Sequence, residues 1–196
     1  MAARSTPKST YHHGDLRQAL LDAALAAVDR DGADAVSLAA LARALKVSQA
    51  APYRHFADRE TLLASVAAEG FRLFCAALRA AQGGRARQAP LIRMCHAYLD
   101  FGRDRPGLYR LMFASRLLAV APKDGELALV AAESFGLLVA ALPLDAAARR
   151  ERMATKIWVA LHGTVMLAGE GLLGERPAEN TLDALVEDIV GEPGDN

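Results

Sequence analysis

Apolar residues recur at helical spacing along nearly the whole chain. Leu16, Leu20, Ala23, Ala24, Ala27 and Val28 form a three-and-four stripe that predicts a first helix. Asp15 is its cap, Gln18 the capping-box partner, and Gly32 its stop. Ser37 heads a short second helix with Leu38, Leu41, Ala42 and Leu45 on one face. After the tight turn "KVS" comes a third short segment, "VSQAAPYRHF", and Asp58 then caps a long fourth helix whose stripe holds Leu62, Val66, Phe71, Phe74 and Leu78. That helix ends near "QGG". The Gly-, Arg- and Pro-containing break "QGGRARQAP" precedes a second group of helices. These are "LIRMCHAYLDFGRD", a short one from Pro106, "GELALVAAESFGLLVAAL", "AAARRERMATKIWVALHGTVMLAGEGLL" and "NTLDALVEDIV", the last carrying Leu182, Leu185, Val186 and Ile189. The third of this group is apolar nearly all round, which predicts a central position or a cavity wall. Ala and Leu dominate and β-branched runs are nearly absent, so the expected fold is all-α with about nine helices.

Two short helices joined by a three- or four-residue turn have helix-turn-helix dimensions. Val47 and Phe56 would plug the space between them. Pro52 stands where the second of the two should already be running. With Ser48 as N-cap its missing N–H removes only the first intrahelical bond, and if the helix starts at Ala51 or Pro52 the fixed φ of proline suits a first turn. Gln49, Ala50 and Ala51 are small or hydrogen-bonding enough to approach base edges, and Tyr53, Arg54 and His55 follow with polar tips. A solvated polar face on a helical hairpin fits the same spacing.

Composition narrows the choices. With 196 residues, 53% of them hydrophobic, the chain is long enough for a substantial core and too apolar to be disordered. Formal charge is zero, so bulk electrostatics does not mark a nucleic-acid binder. Residues 1–60 carry eight Lys or Arg against seven Asp or Glu, and Asp183 to Asn196 carry five acids and no base. Any basic surface must therefore come from local arrangement. Cys75 and Cys95 sit in apolar contexts as buried thiols. No uninterrupted apolar run approaches the ~20 residues of a membrane span, and the polar opening "MAARSTPKST" reads as a mobile arm without a signal-peptide core. A cytoplasmic protein is expected.

"SLAALARALKVSQAAPYRHFADRETLL" with the preceding "YHHGDLRQALLDAAL" resembles the DNA-binding region of the TetR/AcrR family of bacterial transcriptional regulators, over about residues 11–65. Downstream, "PGLYRLMF" and "KIWVALHGTVMLAGEGLL" resemble the C-terminal domain of the subfamily named for Trp-His-Gly, here Trp158, His162 and Gly163. The resemblance implies an N-terminal three-helix DNA-binding domain joined by the long fourth helix to a helical ligand-binding and dimerisation domain. The corresponding boundaries are 1–13 for the arm, 14–60, 61–190, and 191–196 for the tail. It implies a homodimer placing two recognition helices in successive major grooves of a palindromic operator, half-sites ~34–36 Å apart. Gln49, Ala50, Tyr53, Arg54 and His55 would contact bases or phosphates. Ser37, Ser48 and Arg59 would touch phosphate, as would Lys46 more weakly. The helices at about 148–172 and 178–190 would pair across the dimer, and a small-molecule effector would release the DNA. Two departures stand out: Lys46 occupies a turn position usually held by glycine, requiring a left-handed conformation at a cost of ~1–2 kcal/mol, and Pro52 replaces a leucine.

In the second domain Phe71, Phe74, Tyr98, Phe101, Met112, Phe113, Phe135, Trp158 and His162 supply the large apolar groups and few polar ones of a small-molecule cavity, and also what any core needs. His96, His162, Glu133 and Glu170 lack the spacing of a metal site, so neither metal nor cofactor is expected. Trp158 is expected to be a buried anchor, and Gly163 to admit a close helix neighbour. No Ser-His-Asp, paired-Glu or Gly-rich phosphate signature is present, so the expectation is a regulator and not an enzyme. The alternative is a helical small-molecule-binding protein or enzyme without DNA binding.

Overall fold

A computed structural model describes residues 16–83, 89–144 and 146–173, together with Ala184 and Asp188. Its helices are α1 (Leu16–Asp31), α2 (Leu38–Ala44), α3 (Arg59–Gln82), α4 (Pro90–Asp104), α5 (Pro106–Phe113), α6 (Leu117–Val120), α7 (Glu126–Ala141) and α8 (Ala147–Gly169). Short 3-10 turns occupy Ala33–Ala35 and Pro52–Arg54, and the described residues contain no strand. Asp15, the arm, the tail and the apolar positions of "NTLDALVEDIV" lie outside the described residues.

Local chemistry sets the ends as expected. α1 stops where the Gly32 N–H bonds back to the Val28 carbonyl at φ 82°. Ser37 Oγ accepts from the Ala40 N–H at 3.1 Å to start α2. Asp58 Oδ1 accepts from both the backbone N–H and the hydroxyl of Thr61, each at 2.7 Å, to start α3, and these bonds hold the Asp58 carboxyl below its usual range. Lys46 adopts the left-handed conformation expected of it, φ 56°. The four-residue α6 is too short to carry a periodic stripe and is not among the expected helices.

α3 is the central post. Leu62, Val66, Phe71, Phe74 and Leu78 are all buried on it, and α4, α5 and α7 pack around it. It has the length and mean hydropathy of a membrane span, although charged residues punctuate it and leave no uninterrupted apolar run. Its apolar side chains are the interior of the fold, each fully buried Leu or Phe contributing about 1.5–3 kcal/mol. Along the outside, Arg72 pairs with Glu126 and Arg79 with Glu133, one heptad apart on both helices, so α3 and α7 run parallel.

α7 departs from expectation. Ser134 and Leu138 face inward, but Leu129 is 58% exposed and Ala132, Gly136 and Ala140 are also exposed. The helix is apolar nearly all round, yet only one side of it meets this chain.

The N-terminal head, α1 to the start of α3, joins the rest of the molecule through α5. At Gly107 a Cβ would stand 2.2 Å from the Val28 carbonyl oxygen, so only glycine lets α5 lie this close to the end of α1. Beside it Arg105 Nη1 faces Asp29 Oδ2 at 3.4 Å.

Candidate functional site

The segment after Lys46 turns on proline. The Ala51 N–H bonds to the Ser48 carbonyl, Arg54 to Ala51, and His55 to Pro52, all i to i−3, before Phe56 closes one wider turn on Pro52. Pro52 has no N–H to give the Ser48 carbonyl, so an α-helical ladder cannot start there and the residue before it takes that bond with the shorter spacing. The expected recognition helix is therefore a run of tight turns with a 3-10 helix only at Pro52–Arg54.

Burial sorts the segment. Pro52 and Phe56 are buried, and the Arg17 guanidinium lies 5.3 Å from the Phe56 ring centroid. Ser48, Gln49, Ala50, Tyr53 and Arg54 are exposed and His55 is half-buried. Tyr53, at 56% exposed, is an aromatic held in solvent where packing would hide it. Residues 41–56 carry Arg43, Lys46 and Arg54 and no acid, so the neutral chain does own a local basic surface. Arg43, exposed in the last turn of α2, was missed because nothing in its spacing separates it from a solvated helix face.

Ser37, Lys46 and Ser48 are exposed, at the start of α2 and in the turn after it. Arg59, at the start of α3, has partners inside the fold. Its Nε donates to the Val36 carbonyl at 2.9 Å and its Nη2 to the Ala33 carbonyl at 2.7 Å, with Asp34 3.6 Å away. The guanidinium holds the loop that delivers Ser37, because the Val36 carbonyl and the Ala33 carbonyl, which already accepts the Val36 N–H, lie within its span.

The nine expected pocket residues do converge, mostly as a packed cage. Phe74 contacts Tyr98, Phe101 and Phe113 with ring centroids 4.9, 5.0 and 6.0 Å apart. Phe113 meets Phe71 at 5.1 Å, and Met112 is fully buried beneath α3. Tyr109, which is not one of the nine, organises the polar part. Its hydroxyl is 2.9 Å from that of Tyr98 and 2.8 Å from His162 Nδ1. Burial pushes both tyrosines above their usual range and lowers His162 below its own, so all three are neutral near pH 7.

At one end of this chain of hydroxyls lies a small cavity lined by Phe74, Leu78, Met94, Tyr98, Ser134, Phe135, Leu138, Trp158 and Leu161, with room of about 20 Å³, close to that needed for one water. Of the expected set, Phe74, Tyr98, Phe135 and Trp158 line it, while Phe71, Phe101, Met112 and Phe113 are committed to packing. Trp158 is half-buried, so the expectation of a buried anchor holds only in part. A Cβ at Gly163 would meet nothing within 4 Å, and it is Gly102 that lets α8 close on α4, against Val165. Among the described residues no three His, Cys, Asp or Glu side chains converge as metal ligands.

Residues 20–66 match the family model described as bacterial regulatory proteins, tetR family, and residues 91–191 match tetracyclin repressor-like, C-terminal domain. The HTH-type transcriptional regulator YobS of Bacillus subtilis (strain 168) is 27% identical over 177 residues, spanning 88% of this chain and 87% of its own. Rv0681 of Mycobacterium tuberculosis, also an HTH-type transcriptional regulator, is 26% identical over 174 residues, 89% of this chain and 78% of its own. A solved structure of a Rhodococcus sp. RHA1 protein of unknown function is 30% identical, with a TM-score of 0.78 over 94% of this chain and 98% of that one.

Proposed function

The chain belongs to the TetR family of bacterial regulatory proteins, and from that premise we propose that it is a cytoplasmic, homodimeric repressor, released from a palindromic operator by a small, mainly apolar effector. Family members are DNA-binding transcriptional regulators with a ligand-binding C-terminal domain. The observation that carries the reading is the recognition segment, where buried Pro52 and Phe56 hold Gln49, Ala50, Tyr53 and Arg54 out in solvent on an acid-free stretch. Such a segment is shaped to meet a groove, with Arg54 as the base or phosphate contact and Ser37, Ser48 and Lys46 along the backbone.

Dimerisation is supported by what α8 leaves uncovered. Val159 is 58% and Leu167 45% exposed, with the open space over Gly163 between them in sequence. In this reading that face and residues 178–190 meet their counterparts in a second copy, which also accounts for an apolar face on α7. The proposal extends to the Trp-His-Gly subfamily, on the strength of Trp158, His162 and Gly163.

The test is a fluorescence-anisotropy titration against DNA upstream of the protein's own gene, at two salt concentrations, with wild type and Arg54→Ala. Specific binding with a steep salt slope is expected, and Arg54→Ala should lose about 1–3 kcal/mol. Equal, sequence-independent binding by both proteins to every operator-sized fragment of the neighbouring DNA would overturn the reading.

A further inference from the structure

The head carries a cation that nothing in its own helix neutralises. Arg17 stands in the first turn of α1, at the positive end of that helix, where acidic and not basic side chains are the stabilising ones. Three and four residues on, where a helical partner would face it, stand Leu20 and Leu21, both buried. Asp22, the next acid on α1, accepts instead from the Gln18 side chain at 2.8 Å. Among the described residues of the head, Arg30 lies against Asp31 at 2.7 Å and Arg59 near Asp34 at 3.6 Å, whereas Arg17 meets no carboxylate.

What does hold Arg17 is an aromatic ring. Its guanidinium carbon lies over Phe56, 5.3 Å from the ring centroid, and Phe56 is the buried residue that closes the recognition segment through its N–H bond to the Pro52 carbonyl. Arg17 thus stands at the edge of that segment while belonging to another helix. The side chain is exposed, and the ring restricts it before any partner arrives, which lowers the entropy cost of a later contact. A guanidinium keeps its five N–H donors in its own plane, so resting on a ring face leaves them available to an acceptor outside.

We propose that Arg17 is a phosphate contact of the DNA interface, gripping the sugar–phosphate backbone beside the groove that Gln49, Ala50, Tyr53 and Arg54 enter. This rests on reading the chain as an operator-binding regulator. The chemistry selects phosphate: the flat guanidinium matches two of its oxygens with parallel N–H bonds, and the positive end of α1 favours the same anion. The ring holds Arg17 beside the exposed segment and not within it, so it flanks the side chains that would meet base edges. Its contribution is therefore affinity and placement without sequence preference.

The full-length wild type, Arg17→Gln and Arg17→Lys would be titrated by fluorescence anisotropy against DNA upstream of the protein's own gene and against a scrambled duplex of equal length, between about 50 and about 200 mM salt. Arg17→Gln is expected to weaken both duplexes by the same factor, about tenfold for each Arg17 that touches a phosphate. It should also flatten the slope of log affinity against log salt by about 0.9 for each. Arg17→Lys keeps the charge and with it most of the slope. Arg17 is exposed, so both variants should keep a stability close to that of the wild type, which urea unfolding checks. If Arg17 merely steadied Phe56, Arg17→Gln would lower specific binding more than non-specific binding and leave the slope where it was. That pattern, or unchanged affinity for both duplexes, would overturn the proposal. The same titrations separate the two readings. Specific wild-type binding with an unmoved slope in Arg17→Gln removes the contact and leaves the regulator; wild-type binding no tighter to the upstream DNA or any neighbouring fragment than to the scrambled duplex removes the regulator and its operator contact together.

Discussion

In the head, the backbone of residues 48–56 is shaped by residues within or next to it: Pro52 breaks the ladder and Lys46 reverses the turn, while Pro52 and Phe56 are buried and Tyr53 and Arg54 are exposed. In the second domain, the chain of hydrogen bonds from Tyr98 through Tyr109 to His162 is assembled from α4, α5 and α8, and its cavity adds walls from α3 and α7. The first surface exposes polar groups for an outside partner. The second pairs its hydroxyls with one another and with His162. A surface meant for an outside partner leaves its polar groups to water, whereas a buried cage has to pair its own, since an unpaired buried donor costs about 1–3 kcal/mol. α5 lies between the two, with Gly107 against α1 and Tyr109 inside the cage.

That contrast can be tested most severely at Phe74, which touches three rings of the cage. Phe74→Ala should destabilise by about 3–5 kcal/mol in urea unfolding, as large buried-to-small changes do. A loss well under 1 kcal/mol would mean that the cage is not a packed unit. Gly107→Ala comes next, at about 1–3 kcal/mol, because its methyl group meets backbone and not a mobile side chain. If α5 joins head and cage, this variant should also change operator affinity, although Gly107 lies outside the recognition segment; unchanged affinity with reduced stability would sever the two regions. Ser37→Ala removes a local device, the cap of α2, and should cost about 1 kcal/mol while sparing the aromatic near-ultraviolet signal of the cage.

The smallest effect is expected from acid. Burial holds His162 below its ordinary 6.5, so the folded protein takes up its proton later than the unfolded chain as pH falls. The stability this gives is fully present above about pH 6.5 and is lost as pH drops from there towards the lowered folded value, where protonation also removes the Nδ1 acceptor of Tyr109. Melting temperature followed from about pH 7.5 down to about pH 5 should fall less steeply for His162→Asn than for wild type. Parallel slopes would show that His162 plays no part in the acid response.

Much of this was legible without coordinates, for one reason. Helix stripes, the caps at Ser37 and Asp58, the stop at Gly32 and the strained turn at Lys46 depend on residues within about four positions of each other, where sequence spacing and spatial spacing are the same thing. The exposed polar positions on either side of Pro52 were nearly as readable, although spacing alone could not choose between a helix and a 3-10 turn there. That depended on which N–H reached the Ser48 carbonyl.

Only tertiary structure decided the rest. Arg59 looked free because the carbonyls that capture it, at Ala33 and Val36, are more than twenty residues away. Tyr109 looked like any core aromatic because its two partners come from other helices, and no periodicity records where a buried hydroxyl will find an acceptor. Gly163 and Gly102 were indistinguishable in the sequence, and the approach of α8 to α4 fell on Gly102. Sequence by itself determined the helices and the local devices that bound them, since those are short-range physics; which of their faces meet, and therefore which polar atoms are left to greet DNA or a ligand, was decided by packing among segments the chain holds far apart.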